Sequence, residues 1–293
     1  MGKMRVLRLP RIFTIDTFYD VVRSMHELIE SPDKTVFIDF LLLESIEVGG
    51  ITALSNVIEY IKFKGFNVLC MNVDKCGASN FLLCSGFTET YTSIENSQLK
   101  EDPDFLKLSL VRYDRSFSYI NNTLTPWLAT VLKCDPRALA SVKVGFEEIF
   151  NNIKDHSTVT IGCSCAHYVR GQNKVLICIA DFGVGIPAKV REKIEVGSDH
   201  AAIEKACQEG FTTKSTPRNM GAGLTTLIRN IVVRNSGRVS IYSGEGVYDC
   251  LPGLGNLGTG KPAPSNYPGT VVYITIETQK FVPSDINEED FLW

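Results

Sequence analysis

The segment that most constrains the fold is an amphipathic helix predicted between Pro136 and Asp155. Its apolar residues recur at steps of three and four, which is the spacing of one face of an α-helix. These residues are Leu139, Val142, Phe146, Ile149 and Ile153. Strand-like runs follow at Val159–Cys165 and Lys174–Ala180. Because an apolar helix face must be buried against another element, the sequence predicts this helix packed on a β-sheet.

The pattern of elements differs between the two parts of the chain. In the first hundred residues, helix-like segments such as Thr17–Ile29 alternate with short β-rich runs, which predicts an α/β domain. The polar stretch Thr92–Asp104 has the composition of a linker. After it, long helices and a mixed or antiparallel sheet predict an α+β sandwich. We therefore predict two domains, at residues 1–95 and 103–293.

Bulk composition excludes several classes of protein. The net charge of −3 gives no sign of a nucleic-acid-binding surface, so no nucleic-acid partner is expected. No apolar run approaches the roughly 20 residues that a membrane span requires, and Met1–Pro10 lacks the apolar core of a signal peptide. The nine cysteines include no C-x-x-C pair. We expect reduced core thiols in a cytoplasmic protein, with a zinc site as the weaker alternative.

The predicted helix also carries polar residues on a stripe beside its apolar face. Glu148, Asn152 and His156 recur every four residues, so their side chains can converge on one cleft. The Asn152 oxygen is a hard ligand of the kind that Mg²⁺ prefers. The Glu148 carboxylate can accept a proton from a water that attacks a terminal phosphate. The alternative is an exposed polar stripe on an ordinary amphipathic helix.

A second motif, Asp181-Phe-Gly183-Val-Gly185-Ile-Pro187, follows the apolar strand Val175–Ala180. An aspartate at the end of a buried strand can accept a hydrogen bond from the amino group of adenine. The glycines allow the backbone to pass close to the base. The same glycines also imitate the dinucleotide fingerprint of Rossmann folds, which requires a helix directly after the strand and a parallel partner strand. Pro187 and the long segment after it argue against that alternative.

A third motif joins Gly210–Lys214 to a glycine pair, Gly221 and Gly223, that precedes a predicted helix. Glycines just before a helix leave its first amide groups free to face a phosphate. The positive charge of Lys214 and the donors of the Leu224-Thr225-Thr226 run would add to such a site. Considered alone, the glycine pair indicates only a structural turn. The order and spacing of all three motifs make the nucleotide site the stronger hypothesis.

Together these motifs resemble those of the GHKL superfamily of gyrases, heat-shock chaperones, histidine kinases and MutL proteins. The matching pieces are Glu148-x-x-x-Asn152-x-x-x-His156, Asp181-x-Gly183-x-Gly185, Gly221-x-Gly223-Leu224 and Gly269-Thr270. The resemblance covers about residues 103–280 and implies a Bergerat-type α/β sandwich that binds ATP. It also implies Mg²⁺ on Asn152, a threonine at 270 that helps to hold adenine, and a lid between the glycine boxes, at Pro187–Met220.

Two positions depart from the pattern of that superfamily. Phe182 stands where an asparagine often follows the first aspartate. Asp155 stands where many histidine kinases carry a basic residue that favours phosphate. Both departures concern the affinity of the site more than its fold.

The first hundred residues resemble a STAS domain, the fold of anti-sigma-factor antagonists, through Phe37–Phe40, Glu47–Ile51 and Cys84–Phe87. The resemblance implies a protein partner that binds through this domain. Gly49 occupies the position of the antagonists' phospho-acceptor and has no hydroxyl, so phosphorylation there is not expected. His26 precedes Glu and Leu as histidine-kinase acceptors do, but it lies in this first domain and is expected to be an ordinary surface histidine.

Three functions fit these motifs. The favoured hypothesis is a Mg²⁺-dependent ATPase whose nucleotide state controls partner binding by the STAS-like domain. The first alternative is an anti-sigma-type protein kinase acting on Ser or Thr of a separate partner. The second is an ATP-sensing binding module without hydrolysis. Glu148 favours the first two, but hydrolysis and phosphotransfer both need an activated oxygen nucleophile, so this residue does not separate them.

Overall fold

The computed structural model describes residues 5–30, 34–92, 101–211, 223–254 and 258–283, with the side chains of residues 154–160 excepted. The fold is mixed α/β, built on two groups of strands, one parallel and one antiparallel. Within these ranges no helix is long and apolar enough to cross a membrane.

The N-terminal unit alternates strands and helices, as the sequence predicts. Its elements are β1 (Val6–Arg8), β2 (Ile12–Phe13), α1 (Phe18–Ile29), β3 (Thr35–Asp39), β4 (Ser45–Ile46), α2 (Val48–Phe63), β5 (Asn67–Met71), α3 (Ser79–Cys84) and α4 (Phe87–Tyr91). Three strands form a parallel sheet in the order β1-β3-β5, and β2 pairs with β4. Parallel pairing requires crossover connections, and α1 and α2 provide them.

The second unit is a five-stranded sheet with helices. Its elements are β6 (Phe105–Arg112), α5 (Tyr113–Tyr119), α6 (Thr125–Leu132), α7 (Ala140–His156), β7 (Ser157–Val169), β8 (Lys174–Gly183), α8 (Gly185–Arg191), α9 (Asp199–Ala206), α10 (Gly223–Ile228), β9 (Arg238–Cys250) and β10 (Thr259–Glu277). The strand order is β6-β7-β8-β10-β9, and every neighbouring pair is antiparallel. This confirms the antiparallel form of the predicted sheet.

The pairing of the strands excludes the Rossmann alternative, whereas the argument from Pro187 does not hold. Helix α8 begins at Gly185, directly after β8, so the expectation that Pro187 delays a helix is wrong. Pro187 is the third residue of α8, where the backbone N–H would have no partner within the helix in any case. Both neighbours of β8 are antiparallel to it, and the dinucleotide fold needs a parallel partner there.

The predicted apolar face of α7 is confirmed. All five predicted residues are buried in the core that α7 shares with one face of the sheet: Leu139, in the turn just before α7, and Val142, Phe146, Ile149 and Ile153. Gly145 lets α10 approach closely, since a Cβ at that position would lie 2.7 Å from side-chain atoms of Leu227. A side chain at position 145 would therefore push α7 and α10 apart.

The opposite face of the sheet is covered by the N-terminal unit, which the sequence does not predict. Helix α2 lies between the two sheets, and all of its residues from Val48 to Ile58 are buried. On β10, Val271 and Tyr273 pack in the core of the N-terminal unit, whereas Val272 packs in the core that contains α7. His26 of α1 contacts the second unit, since its Nε2 lies 2.9 Å from the carbonyl oxygen of Asn266 on β10. The division at residues 95 and 103 remains a prediction.

Candidate functional site

A cleft lies between α7 and the strands β8 and β10, with about 370 Å³ of space when the part open to solvent is included. Its walls are largely apolar and contain a few polar groups. The lining residues are Ile149, Asn152, Ile153, Ile179, Ala180, Asp181, Ile186, Leu224, Thr270 and Val272. The structure thus brings together Asn152, Asp181, Leu224 and Thr270, each from a different predicted motif. Apolar walls with few placed polar groups are typical of small-molecule sites.

Asp181 provides the main polar group of the cleft. It lies near the end of β8, opposite Thr270 of β10, and is only 4% exposed. Its Oδ1 accepts a hydrogen bond from the Thr270 backbone N–H at 3.1 Å. Burial raises the pKa of Asp181 to about 7, although backbone hydrogen bonds oppose that shift. Burial of the charged carboxylate is costly, and one backbone hydrogen bond offsets only part of that cost. The carboxyl group therefore faces an apolar cleft in which a further donor would stabilise its charged form.

Two glycines with left-handed or related backbone conformations hold the strand ends beside Asp181. Gly269 has φ +144°, and a Cβ there would lie 2.1 Å from the Asp181 carbonyl oxygen. Gly185 has φ +74°, and a Cβ there would lie 2.6 Å from Ser243 Oγ. Only glycine fits either position without a shift of the backbone. This gives the predicted Gly269-Thr270 pair a steric basis.

Ser243 is a residue of the site that the sequence does not single out. Its hydroxyl donates to the Gly269 carbonyl at 2.6 Å and accepts from the Ile186 backbone N–H at 3.0 Å. Its Oγ also lies 3.1 Å from the Thr270 hydroxyl oxygen. The serine therefore ties α8 to β10 at the edge of the cleft. A single serine in a strand carries no signal of this role, which depends on the register between β9 and β10.

The polar stripe of α7 reaches the cleft through Asn152. Glu148 lies one helical turn earlier and is half-buried. The adjacent Asn151 is occupied elsewhere, because its Oδ1 accepts from the Tyr113 hydroxyl at 3.1 Å. The side chains of Asp155 and His156 lie outside the described residues. The helix thus presents a carboxamide to the cleft, with a carboxylate one turn away.

The third motif is described in part. Gly223 and Leu224 begin α10, and Leu224 lines the cleft. Thr225 is buried, and its hydroxyl donates to the Cys207 carbonyl at 2.9 Å. The Thr225 hydroxyl therefore does not donate to a phosphate in this structure, and Thr225 anchors α10. Lys214 and Gly221 lie outside the described residues.

The predicted lid at Pro187–Met220 is in large part a packed segment. Helices α8 and α9 bury Val190, Ala202 and Ile203 in the same core as α7. At the start of α9, Asp199 accepts from the Glu245 backbone N–H at 2.7 Å. Up to residue 211 the segment thus contains two packed helices, and its role as a lid remains a prediction. The remainder, 212–220, lies outside the described residues.

The buried Asp181 carboxyl should make the free energy of unfolding depend on pH. The folded-state pKa of about 7 exceeds the ordinary value of 3.8, so the unfolded state releases this proton at lower pH than the folded state does. The free energy of unfolding should therefore fall as pH rises from about 4 to 7. Asp181→Asn removes this titration and keeps an oxygen for the Thr270 amide. We expect the stability of the variant relative to wild type to increase over that range and to level off above it. Urea unfolding at several pH values measures this difference, and a constant difference would contradict the prediction.

Comparison with known proteins adds little to this geometry. No protein-family model and no curated protein sequence matches the chain. A solved structure that shows some similarity is the B subunit of the DNA gyrase from Myxococcus xanthus, at 13% sequence identity and a TM-score of 0.22. The match covers 42% of this chain and 33% of that subunit, so the chain spans about a third of its length. A similarity this small supports no conclusion about fold or function. The function is therefore inferred from the cleft.

Proposed function

We propose that the protein binds ATP with Mg²⁺ in the cleft between α7 and β8 and hydrolyses it. The observation that carries this proposal is the buried Asp181 carboxyl in an apolar cleft that also contains Asn152. A carboxylate in such surroundings is stabilised by a ligand that donates a hydrogen bond and fills the space with a flat apolar body. Adenine has both properties, an exocyclic amino group and an aromatic ring.

The residues present fit this ligand. The branched side chains of Ile153, Ile186 and Val272 would contact the faces and edges of the base. Asp181 would accept from the amino group, and Asn152 would supply an oxygen to the metal ion. When bound, Mg²⁺ neutralises charge on the phosphates. The support for these contacts is that all of these residues line the same cleft.

Glu148 is the residue we assign to proton transfer. It lies one turn before Asn152 on the same helix, which places it on the same side of α7. Its carboxylate would orient the attacking water and accept its proton. The same role serves a kinase, in which the nucleophile is the hydroxyl of a Ser or Thr on a separate protein.

The buried position of Gly49 disfavours phosphotransfer to the N-terminal unit at the predicted acceptor position. A Cβ at Gly49 would lie 2.8 Å from Ile15 Cβ and 3.1 Å from Tyr273 Cε2. The position therefore lacks both the hydroxyl and the space for one. A protein partner of the N-terminal unit remains a prediction, and it would have to bind on a surface other than the start of α2.

Calorimetric titration with ATP and ADP, each with and without Mg²⁺, tests the proposed function. We expect both nucleotides to bind and Mg²⁺ to strengthen the binding of ATP. Asn152→Ala should abolish most of the effect of Mg²⁺ and leave binding of ADP without metal nearly unchanged, because the base contacts remain. Asn151→Ala, one residue away and hydrogen-bonded to Tyr113, is the matched control. Equal responses to Mg²⁺ in wild type and Asn152→Ala would remove the metal assignment.

Incubation with γ-labelled ATP separates the three functions. Label in free phosphate supports the ATPase, and label transferred to another protein in added cell extract supports the kinase. Binding of ATP without either product supports the non-hydrolysing module. Absence of nucleotide binding altogether would overturn the proposed function.

A further inference from the structure

Phe182 connects the N-terminal unit to the cleft. It directly follows Asp181 on β8 and is 2% exposed. Its ring centroid lies 5.6 Å from that of Tyr60 and 5.6 Å from that of Phe63, both on α2. These separations are typical of interacting aromatic rings. We call these three residues the ring clamp.

Neighbouring residues of a strand point to opposite faces of the sheet. Asp181 faces the cleft, and Phe182 faces α2. Because consecutive residues share a peptide unit, contacts that hold the Phe182 ring also restrict the backbone that carries the Asp181 carboxyl. The departure at position 182 follows from this arrangement, since a polar asparagine would be buried among aromatic rings there.

Strand β10 is arranged in the same way. Thr270 lines the cleft, while Val271 and Tyr273 pack against the N-terminal unit. The Tyr273 hydroxyl donates to Glu47 Oε2 at 2.9 Å, at the residue that precedes α2. Both strands that hold the polar groups of the cleft are therefore fixed from behind by α2 and its N-terminal flank.

We propose that the ring clamp positions the nucleotide site, so that nucleotide affinity depends on how α2 sits against β8. This inference rests on the proposed function, because it concerns the same cleft. Tyr60, Phe63 and Phe182 act through Asp181 and do not touch the ligand themselves. The N-terminal unit then serves as an integral support of the site, and a partner that displaces α2 would weaken nucleotide binding.

Ordinary packing would also explain the contacts between these three rings, so the test must distinguish a packing role from a positioning role. A residue with a packing role alone lowers global stability when truncated and leaves the folded site unchanged. A positioning residue changes the site in the folded protein. The amide of Thr270 reports this directly, because it donates to Asp181 Oδ1 and exchanges faster with solvent when that carboxyl is less restrained.

The variants are Phe182→Leu, Phe63→Leu and the double variant, with Phe40→Leu as the matched control. Phe40 is also fully buried and lies 5.4 Å from the Phe87 ring, within the N-terminal unit. ADP affinity and the exchange rate of the Thr270 amide are measured well below the unfolding temperature of each variant. Each clamp variant should weaken ADP binding by about 2- to 10-fold, the equivalent of one aromatic pair. The exchange rate of the Thr270 amide should rise in both single variants. The loss of ADP binding free energy in the double variant should be smaller than the sum of the losses in the two single variants.

The control separates the outcomes. Phe40→Leu should lose stability without a change in ADP affinity or in Thr270 exchange. If the clamp variants behave like Phe40→Leu in both measurements, the inference is overturned. If wild type binds no ADP, the proposed function fails, and the exchange measurement alone decides whether the clamp restrains Asp181. If Phe182→Leu does not fold, Phe63→Leu and Tyr60→Leu carry the test, since Phe63 is 49% exposed and tolerates truncation.

Discussion

Glu148→Gln is expected to lower ATP turnover by about 10²- to 10⁴-fold, the usual contribution of a general base. Glutamine keeps the size and hydrogen-bonding capacity of the side chain but removes the basic oxygen. Nucleotide affinity should stay nearly unchanged, because Asp181 and the apolar walls of the cleft are intact. Turnover is measured as phosphate released or transferred to a partner, and affinity by calorimetry on the same preparation.

Glu147 offers the matched control for this variant. It is the preceding residue of α7, is likewise half-buried, and forms an ion pair with Lys143 at 3.8 Å. Glu147→Gln should therefore turn over ATP at nearly the wild-type rate. Wild-type turnover in Glu148→Gln would leave α7 as a wall of the binding site only. Equal losses in the two variants would point to a general effect of charge on the helix.

Asp181→Ala should weaken nucleotide binding by about 5- to 150-fold. This range corresponds to the roughly 1–3 kcal/mol lost when a buried hydrogen-bonding group has no partner. In the variant both the adenine amino group and the Thr270 amide lose their acceptor. Calorimetry with ADP isolates the effect on the base, because the γ-phosphate is then absent.

Asp249→Asn is the control for the loss of a buried aspartate elsewhere in the sheet. Asp249 is 7% exposed and accepts hydrogen bonds from Arg238 at 2.7 Å and from Ser240 at 2.6 Å. Its replacement should reduce stability and leave nucleotide affinity unchanged. Unchanged ADP affinity in Asp181→Ala would remove the adenine assignment. A loss that Asp249→Asn shares would point to destabilisation of the whole sheet.

The parts of the fold that the sequence predicts are those with a local periodic signal. The apolar stripe of α7 has helical spacing over several turns, and its burial follows from that spacing alone. The resemblance singles out Gly185 and Gly269, and in the structure both adopt backbone conformations that favour glycine. Helix α8 is not predicted, because a proline indicates the end of a helix unless it stands in the first turn, as Pro187 does.

The burial of α2 has a local signal in the sequence. Its first eleven residues, Val48–Ile58, include no charged side chain, and helix segments without charge are more often buried than exposed. That pattern is unusual for an outer helix of a small α/β domain. It indicates that α2 is covered on two sides, although it does not identify the second sheet.

The sequence alone determines the composition of the cleft, because each of its motifs is carried by neighbouring residues on one helix or one strand end. Asn152 on α7 and Asp181 at the end of β8 are recognisable from local spacing, and Thr270 on β10 from the resemblance of the Gly269-Thr270 pair. Only the tertiary structure decides what lies behind them. The contact of Phe182 with Tyr60 joins residues more than a hundred positions apart, and Ser243 reaches Gly269 only through the register of β9 and β10. Local periodicity defines which face of an element is apolar, but the partner of that face is chosen by packing over the whole chain.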